Sequence, residues 1–286
     1  MLRILVTGGA GFIGSHLCEK LLLKGHEVIC FDNLSTGRLK NIQRFRKKIT
    51  FVKGDVNSRS QLETVFRKKK LSAVFHYAAV VGVKRTLENP LSVLNDVDGM
   101  RNILDLALKY KKPKVVFASS SEVYGEPVEI PELERGHVNA KLPYAVVKLY
   151  CEKLIEAYWY KYKLPTCGFR FFNVYGPRQE STDYGFVVGI FIKRILSGLP
   201  PIIYGDGTQT RDFVYIDDNV EASLRSLESP VTNGEIINIG TGKPTTILDL
   251  AEDIIELCGM KGKIQSEFIA ARDDVRHRFP DISKMI

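Results

Sequence analysis

Short, nearly all-apolar runs alternate with longer amphipathic ones through the first two thirds of the chain. The apolar runs are Ile4–Thr7, Val28–Phe31, Phe51–Lys53, Ala73–His76, Val115–Ser119 and Thr166–Arg170. They are rich in β-branched and aromatic residues, which predicts strands. Between them, stretches at about Phe12–Lys24, Arg59–Lys69, Pro90–Tyr110 and Tyr144–Tyr162 space their apolar residues as helices do. Strands alternating with helices predict an α/β fold, a doubly wound parallel sheet with helices on both faces. Strands this apolar fit burial on both sides. After about residue 170 the rhythm changes, with Gly176-Pro177, Gly198 to Pro201 and Gly205-Asp206-Gly207 breaking the pattern. This predicts a first domain over 1–169 and a smaller, interleaved C-terminal domain over 170–286. Phe213–Ile216 and Ile236–Ile239 read as strands returning to the first sheet.

Composition narrows the class. The 286 residues are 44% hydrophobic and 26% charged, ordinary for a soluble protein. No apolar run reaches the roughly 18 residues of a membrane span, so no membrane partner is expected. The first residues enter a strand directly, which leaves no room for a signal peptide and predicts the cytoplasm. The net charge of +8 comes from basic runs scattered over helix-like segments. They read as solvated helix ends, and no nucleic-acid partner is expected. Cys18, Cys30, Cys151, Cys167 and Cys258 have no pairing pattern, so neither disulfides nor a metal site are expected.

The first strand runs into Thr7-Gly8-Gly9-Ala10-Gly11-Phe12-Ile13-Gly14 and then a helix. Glycines spaced this way admit a tight turn and let a pyrophosphate approach the backbone amides and the positive helix end. Asp32 ends the second strand-like run. A carboxylate there accepts from an adenosine ribose and repels a 2′-phosphate, which predicts NAD over NADP. Arg38 lies close enough in sequence to soften that preference.

Tyr144 and Lys148 stand four residues apart, on one face of a predicted helix. An ammonium near a phenol favours the phenolate, making a base of a group whose free pKa is about 10. The strand Val115–Ser119 leads into Ser119-Ser120-Ser121-Glu122-Val123-Tyr124-Gly125. A serine at such a strand end faces the ligand crevice and can hydrogen-bond a developing oxyanion. Together with Gly54-Asp55-Val56 and His76-Tyr77-Ala78-Ala79, these stretches resemble the extended short-chain dehydrogenase/reductase family, over almost the whole chain. The resemblance implies a Rossmann fold and NAD. Within that family the chain is most similar to the nucleotide-sugar 4-epimerases of the UDP-glucose type. The supporting stretches are Phe31 to Gly37, Glu88-Asn89-Pro90, Arg170 to Pro177, Tyr204 to Gly207 and Thr210 to Tyr215.

The resemblance assigns residues. Gly8, Gly11, Phe12, Ile13 and Gly14 would meet the NAD pyrophosphate. Asp32, Asn33, Leu34, Ser35, Thr36 and Gly37 would hold the adenosine ribose, and Asp55 and Val56 the adenine. Tyr77, Ala78, Ala79, Val81, Asn95, Ser119 and Phe172 would line the rest of the groove. Asn173 and Arg211 would grip the sugar diphosphate, with Tyr204 near the base. Lys84 and Ser121 are further substrate candidates. So is Arg272, with Arg276 as its competitor. Tyr144, ionised with help from Lys148 and the cofactor's positive ring, would take the 4-hydroxyl proton while Ser120 shares the hydrogen bond. The substrate would be a UDP-hexose and the assembly a homodimer. Glu122 departs from the pattern. Ser-Glu-Val-Tyr-Gly resembles the UDP-glucuronate decarboxylases, as does Gly136 to Asn139, and it half-resembles the 4,6-dehydratases, so both outcomes stay open with Glu122 as a catalytic candidate. The segment Val80 to Arg85 resembles the epimerases. A regulator that only senses NAD is the alternative of a different class.

Overall fold

The computed structural model describes residues 1–286 apart from 69, 82, 183–184 and 272–274, and apart from the side chains of 83 and 84. Six strands carry the first part: β1 (Arg3–Thr7), β2 (Glu27–Asp32), β3 (Thr50–Lys53), β4 (Ala73–His76), β5 (Lys114–Ser120) and β6 (Thr166–Phe171). Seven shorter or later ones follow: β7 (Asn173–Tyr175), β8 (Ile202–Tyr204), β9 (Thr210–Tyr215), β10 (Glu235–Ile239), β11 (Pro244–Thr246), β12 (Glu267–Ile269) and β13 (His277–Arg278). The main sheet has the order β10-β6-β5-β4-β1-β2-β3, and its neighbours pair in parallel. The order reverses between β1 and β4, which opens a ligand crevice at the carboxyl ends of those strands.

Both faces of the sheet are covered. One buries Ile4, Val6, Cys30 and Phe75 against the helix Phe12–Leu23. The other buries Leu5, Ile29, Val74 and Phe117 with residues of the helices Asp96–Lys109 and Pro143–Tyr162. Period-two alternation therefore divides each strand between two cores. The helix expected over Pro90–Tyr110 is two, Pro90–Leu94 and Asp96–Lys109, meeting at Asn95.

The second lobe is built on its own core of Val188, Phe191, Ile203, Ala251 and Ile254. There β9 pairs with β7, β11 and β13, and β8 pairs with β12. Ile236–Ile239 does return to the first sheet, as β10 beside β6. The run Phe213–Ile216 does not: it lies mostly in β9 and pairs inside the second lobe. The reason is order in space, because β10 already occupies the free edge of β6. Among the described residues no helix is long and apolar enough to cross a membrane, and no His, Cys, Asp and Glu cluster could hold a metal. All five cysteines are free, four of them buried.

Candidate active site

A cavity of about 640 Å³ opens over the crevice and runs from the glycine loop to the end of β5. Gly8 forms its floor with φ +69, and a Cβ there would lie 2.7 Å from the Ala78 nitrogen, so only glycine fits. A Cβ on Gly14 would sit 2.2 Å from the Gly8 carbonyl oxygen. Between them the helix Phe12–Leu23 begins with no side-chain cap and no acidic residue in its first turn. Its positive end is left for an anion. Asp32 is buried, and its carboxylate accepts from the Ala10 N–H at 2.9 Å and the Leu34 N–H at 2.8 Å. Gly37 passes over it so closely that a Cβ would touch Asp32 Oδ1 at 2.6 Å. A glycine-rich loop, an uncapped helix end and a fixed carboxylate fit a dinucleotide.

Most of the expected residues line this one cavity. Gly11, Phe12, Ile13, Asn33, Ser35 and Thr36 are at one end, followed by Asp55, Val56, Tyr77, Ala78, Ala79, Val81 and Asn95. Ser119, Ser120, Ser121, Glu122, Tyr144, Lys148, Phe172 and Asn173 are at the other. Leu34 does not line it; its side chain packs on the core and only its N–H serves the site. Tyr204 and Arg211 lie in the second lobe on β8 and β9 and do not line it either. Arg272 and the side chain of Lys84 lie outside the described residues.

Tyr144 and Lys148 sit on the cavity-facing side of the helix Pro143–Tyr162. Lys148 is buried, its Nζ 5.4 Å from the Tyr144 ring centre, and it donates to the Ala118 carbonyl at 2.7 Å. Burial pushes its pKa down, opposed chiefly by Asp96. Burial pushes the Tyr144 phenol up; a hydrogen bond with Ser120 pulls the other way, and the Glu122 and Asp96 charges add to the rise. Burial therefore leaves the phenolate in need of positive charge nearby. His76 is pushed down to about 3 by burial and by Lys148, and its Nδ1 is hydrogen-bonded to Thr7 Oγ1 at 2.9 Å. It is a neutral strut behind the site.

Glu122 faces the cavity and is also the partner of Arg278 Nη1. Arg278, on β13, is almost fully buried, and its Nη2 donates to the Gly125 carbonyl at 2.8 Å. The last strand is thereby tied to the loop after β5.

The cavity wall also includes Asp96, Glu180 and Arg178. Asp96 stands next to the chosen Asn95; its Oδ2 accepts from the Val80 N–H at 2.8 Å, and burial raises its pKa. Its position as the first acidic residue of a helix was the available signal. Glu180 pairs with Arg85 at 3.1 Å and Arg38 at 3.8 Å, joining three distant segments at the cavity wall. Arg178, just after Gly176-Pro177, lines it as well and pairs with Glu19.

The profile of the NAD dependent epimerase/dehydratase family matches residues 4–240. A Methanocaldococcus jannaschii protein provisionally named UDP-glucose 4-epimerase is 41% identical, over 91% of this chain and 84% of that protein. The UDP-N-acetyl-α-D-glucosaminuronate decarboxylase of Bacillus cytotoxicus is 37% identical, over 99% and 90%. The crystal structure of Thermotoga maritima UDP-glucose 4-epimerase with UDP-glucose superposes with a TM-score of 0.94 at 35% identity, covering 99% of this chain and 91% of that one.

Proposed function

We infer the reaction from one premise: the chain belongs to the NAD-dependent epimerase/dehydratase family, and its cofactor is NAD. The reaction is inversion at C4 of a nucleotide-activated hexose of the UDP-glucose type, through a transient 4-keto sugar. The observation that carries this is the meeting of Tyr144 and Ser120 at one end of the cavity that has the glycine loop and Asp32 at the other. NAD, when bound, takes and returns the C4 hydride and brings a positive charge into the cavity.

The rest falls to the chain's own groups. Tyr144, ionised with help from Lys148 and the positive charge that NAD would bring, takes the proton of the 4-hydroxyl as the ketone forms and gives it back as the alcohol re-forms. Ser120 shares a hydrogen bond with the developing oxygen. Lys148 keeps an ammonium in the cavity wall, fixed by the Ala118 carbonyl. Residues 1–169 hold NAD, and 170–286 mainly cover the nucleotide sugar, with Asn173, Tyr204 and Arg211 on that side; Arg272 is a further phosphate contact by the resemblance alone. The reading extends to a cytoplasmic homodimer through the helices around Val146 and Tyr150, both exposed; light scattering at known concentration checks the dimer.

A second reading is favoured by Glu122, which lines the cavity beside Ser120 and Ser121 in a stretch that resembles the UDP-glucuronate decarboxylases. A uronate oxidised at C4 would then lose carbon dioxide. One product panel separates the readings: UDP-hexoses, their N-acetyl forms and UDP-glucuronate, each followed for C4 inversion, carbon dioxide and 4-keto-6-deoxy sugar. C4 inversion without carbon dioxide supports the first reading. Carbon dioxide from the uronate alone supports the second.

A further inference from the structure

Three contacts at successive turns fasten the helix Pro143–Tyr162 to the end of β5. Tyr144 is hydrogen-bonded to Ser120. Lys148, one turn on, reaches the Ala118 carbonyl at 2.7 Å. Glu152, one turn further, accepts from the Ser119 hydroxyl at 2.5 Å. A spacing of four puts the three side chains on one face of the helix, and their partners are consecutive in the strand.

Glu152 is fully buried. Besides Ser119 it accepts from Arg170 Nε at 3.0 Å and Nη2 at 2.7 Å. Arg170 stands opposite Ser119 in the β5–β6 register. It is fixed in turn by the Glu134 carbonyl at 3.2 Å and by the Tyr124 ring 4.7 Å away. A buried ion pair is a poor way to gain stability, since apolar side chains of the same volume often do as well. What this pair offers instead is a fixed position for Ser119 and hence for its neighbour.

We propose that Glu152 is a positioning residue for the C4 oxidation, clamping Ser119 so that Ser120 is held against the Tyr144 and Lys148 face. This rests on Tyr144 being the base. Glu152 also acts on Lys148 through its charge. Lys148 faces Asp96 from the neighbouring helix, Cys151 and Glu152 from its own, His76 from β4, and the Phe117 and Tyr144 rings. Burial lowers its pKa while Asp96, Cys151 and Glu152 raise it. Removing the Glu152 charge therefore lowers it further, and the ammonium is lost at lower pH.

Two variants of the NAD-loaded protein separate position from charge. Ser119→Ala removes one contact and leaves Glu152 paired with Arg170. It is expected to lower kcat by about tenfold or more with KM within about twofold, and to leave the alkaline limb of the pH profile in place. Glu152→Gln is expected to lower kcat further and to move that limb to lower pH. A Ser119→Ala enzyme with wild-type kcat, or an unmoved limb in Glu152→Gln, overturns the proposal. If the wild type inverts no sugar, the proposed function fails, and a crystal structure of Ser119→Ala still decides the positioning. The expected result there is a Ser120 hydroxyl moved out of hydrogen-bonding reach of Tyr144; an unmoved Ser120 overturns it.

Discussion

Two buried arginine–glutamate pairs flank the serine cluster, and they are built differently. Arg170 and Glu152, 3% and 0% exposed, meet through two hydrogen bonds, and Ser119 adds a third to the carboxylate. Arg278 and Glu132, 3% and 1% exposed, approach only to 3.8 Å. Among the described residues, both carboxylate oxygens of Glu132 and Arg278 Nε lack a hydrogen-bond partner. Burial, only partly offset by Arg278, pushes the Glu132 carboxyl up to about 8. The satisfied pair holds one geometry. The unsatisfied pair leaves an acid that changes charge near neutral pH, while its arginine is engaged with Glu122 and the Gly125 carbonyl. Burial alone does not make a fixed ion pair; hydrogen bonds on every oxygen do.

The scale for any effect on this region is set by the group that the pairs surround. Tyr144→Phe removes the proton acceptor and is expected to cut turnover by about 10²–10⁴-fold. Binding of NAD, followed by fluorescence quenching, should be unchanged. Turnover near wild type would remove Tyr144 from the role of base. Breaking the satisfied pair comes next. Arg170→Ala leaves Glu152 charged, buried and short of two donors, and should cost about 3–5 kcal/mol in urea unfolding. A cost below about 1 kcal/mol would mean that the two pairs do not differ as described.

The smallest effect is the most discriminating. Glu132 has a folded pKa of about 8, above its ordinary value of 4.5. Between those values the folded protein keeps a proton that the unfolded chain has released, so stability falls as pH rises through that window. Glu132→Gln cannot ionise and should remove the slope. Its melting temperature should exceed the wild type's at pH 8 and lie close to it at pH 4.5. An identical pH dependence in both proteins would place the Glu132 carboxylate in a satisfied site.

Much of this was legible in the chain itself. The apolar runs at Ile4, Val28 and Val115 become β1, β2 and β5 because such residues suit a sheet covered on both faces. The glycine loop, Asp32, Ser120, Tyr144 and Lys148 were readable because each sits at a fixed local offset from a strand or helix end. The clamp was not. Glu152 stands one turn beyond Lys148, where a glutamate on a helix ordinarily faces water. Its burial depends on Ser119, 33 positions earlier, and on Arg170. Arg278 reaches Glu122 across 156 positions, through a two-residue strand with no pattern of its own. Asp96 was passed over for Asn95, since nothing local says which neighbour turns inward. In the second lobe β7, β8, β11 and β12 have three residues each, too few to show a period.

The central claim is that Tyr144 serves a hydride that leaves C4 of a nucleotide sugar and returns to the same carbon. UDP-galactose carrying deuterium at C4, incubated with the NAD-loaded protein in ordinary water, tests it most directly. The account predicts UDP-glucose with the deuterium retained at C4, seen by NMR and mass spectrometry. Inverted product with hydrogen from water at C4, or no inversion with this sugar or its N-acetyl form, would contradict it.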